Sequence, residues 1–342
     1  MALLVGKDSG YGDYKGYFRG KGFENGESYT FPALVASPAN IPGGAELTAV
    51  DVLDDLFVEY RGKQYWLGNK ARENRNRTVN MDANKLNDEE EIVKLLTGLG
   101  YVSHLTGQKD FRVVTGIPVQ QYNHLKNVVS NSWKGTFRYG FRGENITINV
   151  KAVKPIAQGA GVYYDLCLGF DNVLDTDLFK KRILVCDMGN KTTNFAPMMA
   201  GQYLGDMALT VWTGVSNIHM SLQERLLEKH GLVYDLSDIS KVARDGYYFY
   251  RGDRYPVTQE LQEVTEPIID KIITEAQTKI NLSRDIETVI FASGGACIGA
   301  AAHLFEQKMR GFVNDVRTVP DAMSNVRGYW KCGNFLEQID KF

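Results

Sequence analysis

The sequence predicts an α/β protein of two domains, because strand-like apolar runs and amphipathic helical stretches recur along its 342 residues. In the first half, an apolar run over 3–5 leads to Asp8, a Gly-containing turn and a second strand over 14–18. In the second half, an apolar run over 183–186 leads to Asp187, another Gly-containing turn and a return strand. Two copies of one unit, about half a chain apart, indicate two related domains that close on one shared ligand.

Composition and charge exclude several classes of protein. Hydrophobic residues at 44% and charged residues at 23% are typical of a soluble globular protein. A net charge of −2 argues against direct, non-specific DNA binding as the main activity. No apolar run is long enough to span a bilayer and the first residues lack the basic start of a signal peptide, so we expect a cytoplasmic protein without membrane contact. The cysteines lack CxxC or other metal-ligand spacing, and three of them lie in apolar runs, so we expect reduced core thiols at Cys167, Cys186, Cys297 and Cys332.

The second unit suggests a site for a metal and phosphate. Asp187 ends a buried apolar run, where an unpaired carboxylate is costly. A metal ion or its waters would satisfy the carboxylate, and Gly189 would let backbone N–H groups approach phosphate oxygens. From this stretch alone, a hairpin with a polar tip is an equally good interpretation.

The first unit adds a cation to the same pattern. Gly10 and Gly12 allow a turn that presents N–H groups to an anion, and Lys15 contributes an ammonium group. A single Gly-rich hairpin turn is common, so only the repetition of the unit makes the pattern specific.

A third turn follows the predicted strand over 288–292. The sequence Gly294-Gly295-Ala296 would let a flat ring lie against the backbone at a helix start. The alternative is a plain strand-to-helix turn. Elsewhere we expect Ser216 as a helix N-cap and Gln158 in the first turn of a helix that runs to Leu168.

Gln158 is a candidate for orienting a water molecule, since its amide does not take a proton; a solvent-facing Gln is the alternative. The remaining patterns predict helices over 84–97, 120–131 and 329–336. A long helical stretch over 258–280 is predicted to break at Glu266-Pro267.

The three turns at 8–15, 187–193 and 294–296 resemble, in this order, the two phosphate motifs and the adenosine motif of the actin, heat-shock-70 and sugar-kinase ATPase superfamily. Segments 66–71, 113–118 and 322–329 are similar to those of prokaryotic actin-like ATPases of the ParM type, which segregate plasmids. The resemblance implies two actin-like domains of the ribonuclease-H type, each with a mixed five-stranded sheet, and a nucleotide in the cleft between them. It implies domain I at 1–170 plus 325–342 and domain II at 171–324.

The resemblance also implies roles for individual residues. Asp8 and Asp187 match the positions that hold Mg²⁺ through water, and Gln158 matches the Gln that positions the attacking water, so these three are the catalytic candidates. The first phosphate loop is matched by Ser9, Gly10, Tyr11, Gly12 and Lys15. The second phosphate loop is matched by Gly189, Asn190, Lys191 and Thr192. The adenine and ribose would be lined by Gly294, Gly295 and Ala296, with Lys241 on the purine side. The chain departs from actin at Asn190, where actin has an acidic residue, and at Lys191, which is bulky for this turn.

The implied function is a nucleotide-dependent, filament-forming ATPase that segregates or positions DNA. Its cofactors would be ATP (or GTP) and Mg²⁺. Its partners would be further copies of itself, head to tail, and a DNA-binding adaptor protein, with DNA contacted only indirectly. The alternative is a non-polymerising small-molecule kinase of the same superfamily, and a chaperone-like ATPase is a weaker third. A kinase needs a catalytic Asp between the first two motifs, but no sugar-site motif surrounds Asp51, Asp54, Asp55, Asp82, Asp88 or Asp110.

Overall fold

The structure is a computed structural model that describes residues 2–38, 51–72, 74, 86 and 88–342. In chain order its first elements are β1 (Leu3–Ser9), β2 (Asp13–Gly20), β3 (Phe23–Pro32), β4 (Val35–Ala36), β5 (Leu56–Tyr60), β6 (Lys63–Leu67), α1 (Gly68–Arg72), α2 (Glu89–Thr106), β7 (Asp110–Ile117), α3 (Tyr122–Ser132), β8 (Gly135–Phe141), β9 (Glu144–Ala157) and α4 (Ala160–Cys167). They are followed by α5 (Thr176–Lys180), β10 (Ile183–Met188), β11 (Thr193–Met199), β12 (Gln202–Tyr203), β13 (Leu209–Val211), α6 (Val215–His230), α7 (Leu236–Asp245), β14 (Tyr247–Tyr250), β15 (Asp253–Pro256), α8 (Thr258–Lys279), α9 (Leu282–Asp285), β16 (Thr288–Ala292), α10 (Ser293–Ala296), α11 (Gly299–Met309), β17 (Asp315–Val319) and α12 (Ser324–Gln338).

The first sheet is built around β1. Its strand order, within the described ranges, is β3-β2-β1-β7-β9-β8-β5-β6-β4. β1 pairs antiparallel with β2 and parallel with β7, so the turn after β1 is a tight hairpin while the return to β7 needs a crossover. One face of this sheet packs against α2 through Val93, Leu96 and Leu99. Because β1 is buried nearly throughout, helices must cover its other face as well.

The second sheet repeats this arrangement around β10. Its order is β12-β11-β10-β16-β17, and β13 pairs with β11. β10 pairs antiparallel with β11 and parallel with β16. Helices α6, α8 and α11 cover one face, with Leu222, Ile269 and Phe305 among the fully buried side chains. The two sheets, of nine and six strands in the described part of the chain, are larger than the five-stranded sheets that the resemblance implies.

A third apolar cluster joins the two sheets. It contains Val185 and Ile290 from the second sheet, Val114 from the first, and Val326 and Tyr329 from α12. The chain passes from β17 in the second sheet to α12, which packs against β1 and α4. The last helix is therefore fixed to the first sheet although it follows the second in the sequence.

Two predictions about helices need correction or restriction. The helix predicted over 84–97 corresponds to α2, which begins at Glu89 and extends beyond the predicted end to Thr106. Residues 84, 85 and 87 of this prediction lie outside the described residues. The predicted break at Pro267 is wrong, because α8 continues through it. Burial of Leu261 and Ile269 on either side of the proline outweighs the roughly 3 kcal/mol that a proline costs inside a helix. No helix among the described residues combines the length and apolar character needed to cross a bilayer.

Helix α12 approaches α4 so closely that only glycine fits at the contact. A Cβ atom at Gly328 would overlap the carbonyl oxygen of Gly161, and a Cβ at Gly6 would overlap the carbonyl oxygen of Val326. These are backbone atoms, which cannot rotate away as a flexible side chain would.

We therefore expect Gly328→Ala to lower the free energy of unfolding by about 2 kcal/mol or more, through overpacking. The matched control is Gly299→Ala in α11, an exposed helical glycine whose added Cβ would meet no atom within 4 Å. This control should leave stability unchanged or slightly higher, because alanine favours helix. Urea denaturation measures both variants, and equal effects would contradict the proposed close contact.

Candidate functional site

A cavity lies between the β1–β2 and β10–β11 hairpins. Its empty volume is about 1180 Å³, part of it open to solvent. Backbone and side chains of both hairpins line it, together with the turn before α4 and the first turn after β16. The predicted residues that line it are Asp8, Ser9, Gly10, Tyr11, Gly12, Lys15, Gln158, Asp187, Gly189, Asn190, Thr192 and Gly294.

The two predicted carboxylates share this cavity. Asp187, at the end of β10, is only 1% exposed, and Asp8, near the end of β1, is 7% exposed. Burial raises the pKa of Asp187 to about 6, and the charge of Asp8 adds to this rise, while hydrogen bonds from Ser293 and Asn325 oppose it. A cation beside both carboxylates would reverse the effect by favouring their charged forms.

The chemistry of these donors suits Mg²⁺ held through water. The described residues contain no cluster of three or more His, Cys, Asp or Glu side chains that could hold a metal ion. Two carboxylates are too few to enclose Mg²⁺, which instead keeps several waters and shares its remaining positions with phosphate oxygens. The residues present therefore fit a Mg²⁺–nucleotide complex better than a metal bound by protein alone.

Glycines in the first loop allow the two hairpins to approach each other. Gly10 N–H donates to the Asp13 carbonyl at 3.1 Å, which closes the turn. A Cβ at Gly12 would lie 3.3 Å from Cγ of Asn190 in the opposite loop. Lys15 Nζ donates to the Ala322 carbonyl at 3.0 Å, so its ammonium group is held at the cavity wall. A glycine-rich turn and one ammonium group therefore lie together at the cavity wall, and both features are typical of phosphate sites.

The second loop is fixed by the start of α6. Gly189 N–H donates to the Thr192 carbonyl at 2.9 Å, and the carbonyls of Gly189 and Asn190 accept from Val215 N–H at 2.9 Å and Ser216 N–H at 2.8 Å. The first N–H groups of α6 are thus bound to the loop and are not directed at a ligand.

The predicted N-cap at Ser216 is wrong, because the helix starts two residues earlier than that N-cap implies, at Val215. Gly214 occupies the N-cap position, and its N–H donates to Oδ1 of Asn217 at 2.9 Å. A Cβ at Gly214 would lie 2.6 Å from the Gly189 carbonyl oxygen, so glycine is needed for α6 to dock on the loop.

Gln158 lies in the cavity wall but not in a helix. It occupies the turn between β9 and α4, and its backbone N–H donates to the Ile117 carbonyl at 2.7 Å. The prediction that it lies in the first helical turn is therefore wrong. Gly159, with φ of 90°, takes the left-handed conformation that ends the strand and starts the helix.

Four of the predicted binding residues do not line the cavity, namely Lys191, Lys241, Gly295 and Ala296. Gly295 packs against Met188, and Ala296 lies in the core of the second sheet. The Lys191 ammonium lies over the rings of Tyr11 and Trp212, at 5.1 and 5.4 Å from their centroids.

The prediction for Lys241 needs correction. Its side chain is exposed and its Nζ lies 3.8 Å from Oδ1 of Asp238. Ser240 and Arg244, on the same helix, line the cavity instead. Lys241 lies on the same helix as these two residues but does not line the cavity.

Sequence analysis also missed Ser293, His219 and Cys297 in the cavity wall. Ser293 has φ of 69°, a conformation that a non-glycine residue rarely adopts and that is often retained at functional sites. Burial lowers the pKa of His219 to about 4, with the charge of Arg244 as the second cause, so the imidazole is neutral at pH 7. Only Ser293 carried a sequence signal, since it follows a strand at the predicted third turn.

Comparison with protein families identifies the class of protein. Residues 6–161 match the family model described as actin like proteins, N-terminal domain, and residues 185–302 match the one described as archaeal actin homologue MreB-like, C-terminal. The chain therefore belongs to the actin-like proteins, and the family resemblance predicted from its motifs is confirmed. No curated protein matches it.

Solved structures share its fold over nearly the whole chain. A 15-stranded ParM filament from Clostridium botulinum is 20% identical with a TM-score of 0.71, covering 97% of this chain and 99% of that one. An archaeal actin homologue in complex with ADP is 17% identical with a TM-score of 0.74 and the same coverage. ParM from Bacillus thuringiensis with AMPPNP is 16% identical with a TM-score of 0.69, covering 98% and 99%. The predicted two-domain actin-like fold is thus confirmed.

We expect Asp187→Asn to stabilise the ligand-free protein at neutral pH. Folding raises the pKa of this carboxyl from 3.8 to about 6, so its contribution to stability is complete below about pH 4 and is lost as the pH rises through about 6. The loss is on the order of 2–3 kcal/mol, and Asn, which has no proton to lose, avoids it.

Urea denaturation in EDTA between about pH 4 and pH 7.5 measures this effect. Asp253→Asn, at an exposed carboxylate in β15, is the control and should leave the pH profile unchanged. A difference between Asp187→Asn and wild type that does not vary with pH would contradict the raised pKa.

Proposed function

We propose that this protein is a Mg²⁺-dependent nucleoside triphosphatase, using ATP or GTP, whose nucleotide state controls head-to-tail assembly into filaments. The observation that carries the proposal is the convergence of Asp8 and Asp187, from two separate hairpins, on one cavity with glycine-rich turns. Phosphoryl transfer needs little covalent chemistry from a protein, and depends mainly on positioning and charge.

The residues of the cavity have separate roles in this proposal. Asp8 and Asp187 would hold the waters of the metal ion, and Lys15 with the glycine-rich turns of both loops would bind phosphate oxygens. Bound Mg²⁺ supplies charge compensation for the triphosphate. Gln158, which lines the cavity, would orient the attacking water through its amide.

We propose a division into domain I (1–170 plus 325–342) and domain II (171–324). The first sheet lies wholly in the first range and the second sheet in the second, and α12 packs against β1 and α4. Loss of the γ-phosphate would remove ligand contacts that bridge the domains and so change their relative orientation. In a head-to-tail filament this change would reach the subunit contacts.

The cellular role that we propose is segregation or positioning of DNA in the cytoplasm. The net charge of −2 favours contact with DNA through a DNA-binding adaptor protein over direct contact. Similarity to ParM filament structures supports self-assembly as the basis of this role.

The small-molecule kinase is the weaker alternative. Asp51 caps a short helix by accepting from Leu53 N–H at 3.0 Å, and Asp55 forms an ion pair with Lys70. Asp82 lies outside the described residues. The described candidates Asp51, Asp54, Asp55, Asp88 and Asp110 do not line the cavity.

We expect Gln158→Ala to slow nucleotide hydrolysis about 100-fold while nucleotide affinity stays within about twofold, since an orienting group acts mainly in the transition state. Single-turnover phosphate release measures the rate, and titration with a fluorescent nucleotide measures affinity. Gln277→Ala, at an exposed position of α8, is the control. Unchanged phosphate release in Gln158→Ala would remove this residue from the mechanism.

Filament formation is tested by light scattering and pelleting of micromolar protein with Mg·ATP, Mg·GTP or Mg·ADP. We expect a rise with at least one triphosphate that decays as the nucleotide is consumed, and longer-lived filaments for Gln158→Ala. Hydrolysis without any change in scattering would favour the kinase-like alternative.

A further inference from the structure

Helix α12 begins directly beneath the cavity. The chain leaves β17 in the second sheet, passes Ala322 at the cavity wall, and enters α12 at Ser324. Asn325, the second residue of this helix, is only 3% exposed. It belongs to the segment 322–329 that the sequence analysis selected for its family resemblance, but neither the motifs nor the proposed function gives Asn325 a role.

The side chain of Asn325 contacts Asp187 directly. Its Nδ2 donates to Oδ2 of Asp187 at 3.0 Å and lies 3.4 Å from Oγ of Ser293. A carboxylate can only accept, so the amide must present its NH₂ group to Asp187. Hydrogen bonds from neutral donors to buried charged acceptors are among the stronger ones in proteins.

The helix that carries Asn325 is held mainly by α4 and by strands of the first sheet. Ser324 Oγ donates to Oδ2 of Asp165 in α4 at 2.8 Å, and Arg327 pairs with the same carboxylate. The overlaps that a Cβ at Gly6 or Gly328 would create show that α12 has no room to shift against β1 and α4. Asp187, by contrast, is the penultimate residue of β10 in the second sheet.

We propose that Asn325 is a positioning residue that fixes the carboxylate of Asp187 for Mg²⁺ and ties this metal-binding group to the helix of the other domain. The inference rests on the proposed function of the cavity. One oxygen of Asp187 is held by a donor that cannot move relative to α4, so the plane of the carboxylate is set before the metal arrives. The same bond makes the position of α12 relative to the second sheet depend on the contacts that Asp187 makes.

Asn325→Leu keeps the number and branching of the side-chain heavy atoms and removes the donor. Partners that orient a metal-binding group typically change metal affinity by about 10- to 100-fold when they are lost. We therefore expect the Mg²⁺ concentration that half-saturates the ADP-induced rise in melting temperature to increase at least about 10-fold. The rise that ADP produces in EDTA should remain that of wild type. Asn325→Ala, which truncates the side chain and adds no apolar volume, repeats the comparison should Asn325→Leu fail to fold.

Ser324→Ala is the matched control. Ser324 is the adjacent buried residue, and its side chain also bonds to a buried carboxylate. This carboxylate is that of Asp165 in α4 and not that of Asp187 in β10. It should lower the melting temperature without altering the Mg²⁺ dependence. Limited proteolysis at increasing Mg²⁺ with ADP gives an independent readout, and protection of the Asn325 variants should require the same higher Mg²⁺ concentration.

A double-mutant cycle tests whether Asn325 acts through Asp187. In an Asp187→Asn background, Asn325→Leu should cause no further change in Mg²⁺ dependence, because the group that it positions is already altered. Equal Mg²⁺ dependence of Asn325→Leu, Ser324→Ala and wild type would overturn the role of Asn325 and leave the proposed function intact. Absence of any Mg²⁺ effect on nucleotide binding in wild type would overturn both.

Discussion

The structure depends on one electrostatic constraint, the burial of Asp187 beside the charge of Asp8 without a counter-charge strong enough to restore an ordinary pKa. Two carboxylates at the tips of separate strands oppose the approach of the sheets that carry them. Hydrogen bonds from Ser293 and Asn325 offset only part of this cost. A bound cation would change the sign of the interaction, so ligand binding and closure of the cavity are coupled through the same pair of charges.

Close backbone contacts join the two loops of the cavity to each other and to a helix, so closure of the cavity would move these elements together. The two loops meet where Gly12 faces Asn190, and α6 docks on the second loop where Gly214 faces the Gly189 carbonyl. Packed interfaces of this kind switch between discrete arrangements and do not deform continuously. In the proposed function, a change in the bound phosphate would be passed through these contacts to whole helices. Helix α12 is the element that we expect to respond to such a change, because it packs on the first sheet and is hydrogen-bonded to Asp187 in the second.

Features of this fold that are set by local sequence could be predicted, whereas those set by packing between distant segments could not. The turns after β1 and β10 were predictable because an apolar run ending in Asp and Gly leaves few alternatives to a strand and a tight hairpin. The position of Gln158 was missed because a strand continues to Ala157 through its pairing with β7, a contact between residues about 40 apart in the chain. Lys241 was named on the purine side although Arg244 lines the cavity instead, because charge alone does not tell which face of a helix meets a cavity. The bond from Asn325 to Asp187 spans 138 positions and has no local pattern.

The two departures from actin in the second loop have a common structural explanation. The backbone of this loop is held by hydrogen bonds from Val215 and Ser216 and by the closing bond between Gly189 and Thr192, none of which involves a side chain of the loop. Its turn therefore tolerates a neutral amide at Asn190 and a long cation at Lys191. The Lys191 ammonium lies over Tyr11 of the first loop and Trp212 beside α6, so it bridges the two hairpins from outside the cavity. Because this contact joins loops that follow different sheets, any rotation of one sheet against the other must change the distance between Lys191 and one of its two rings.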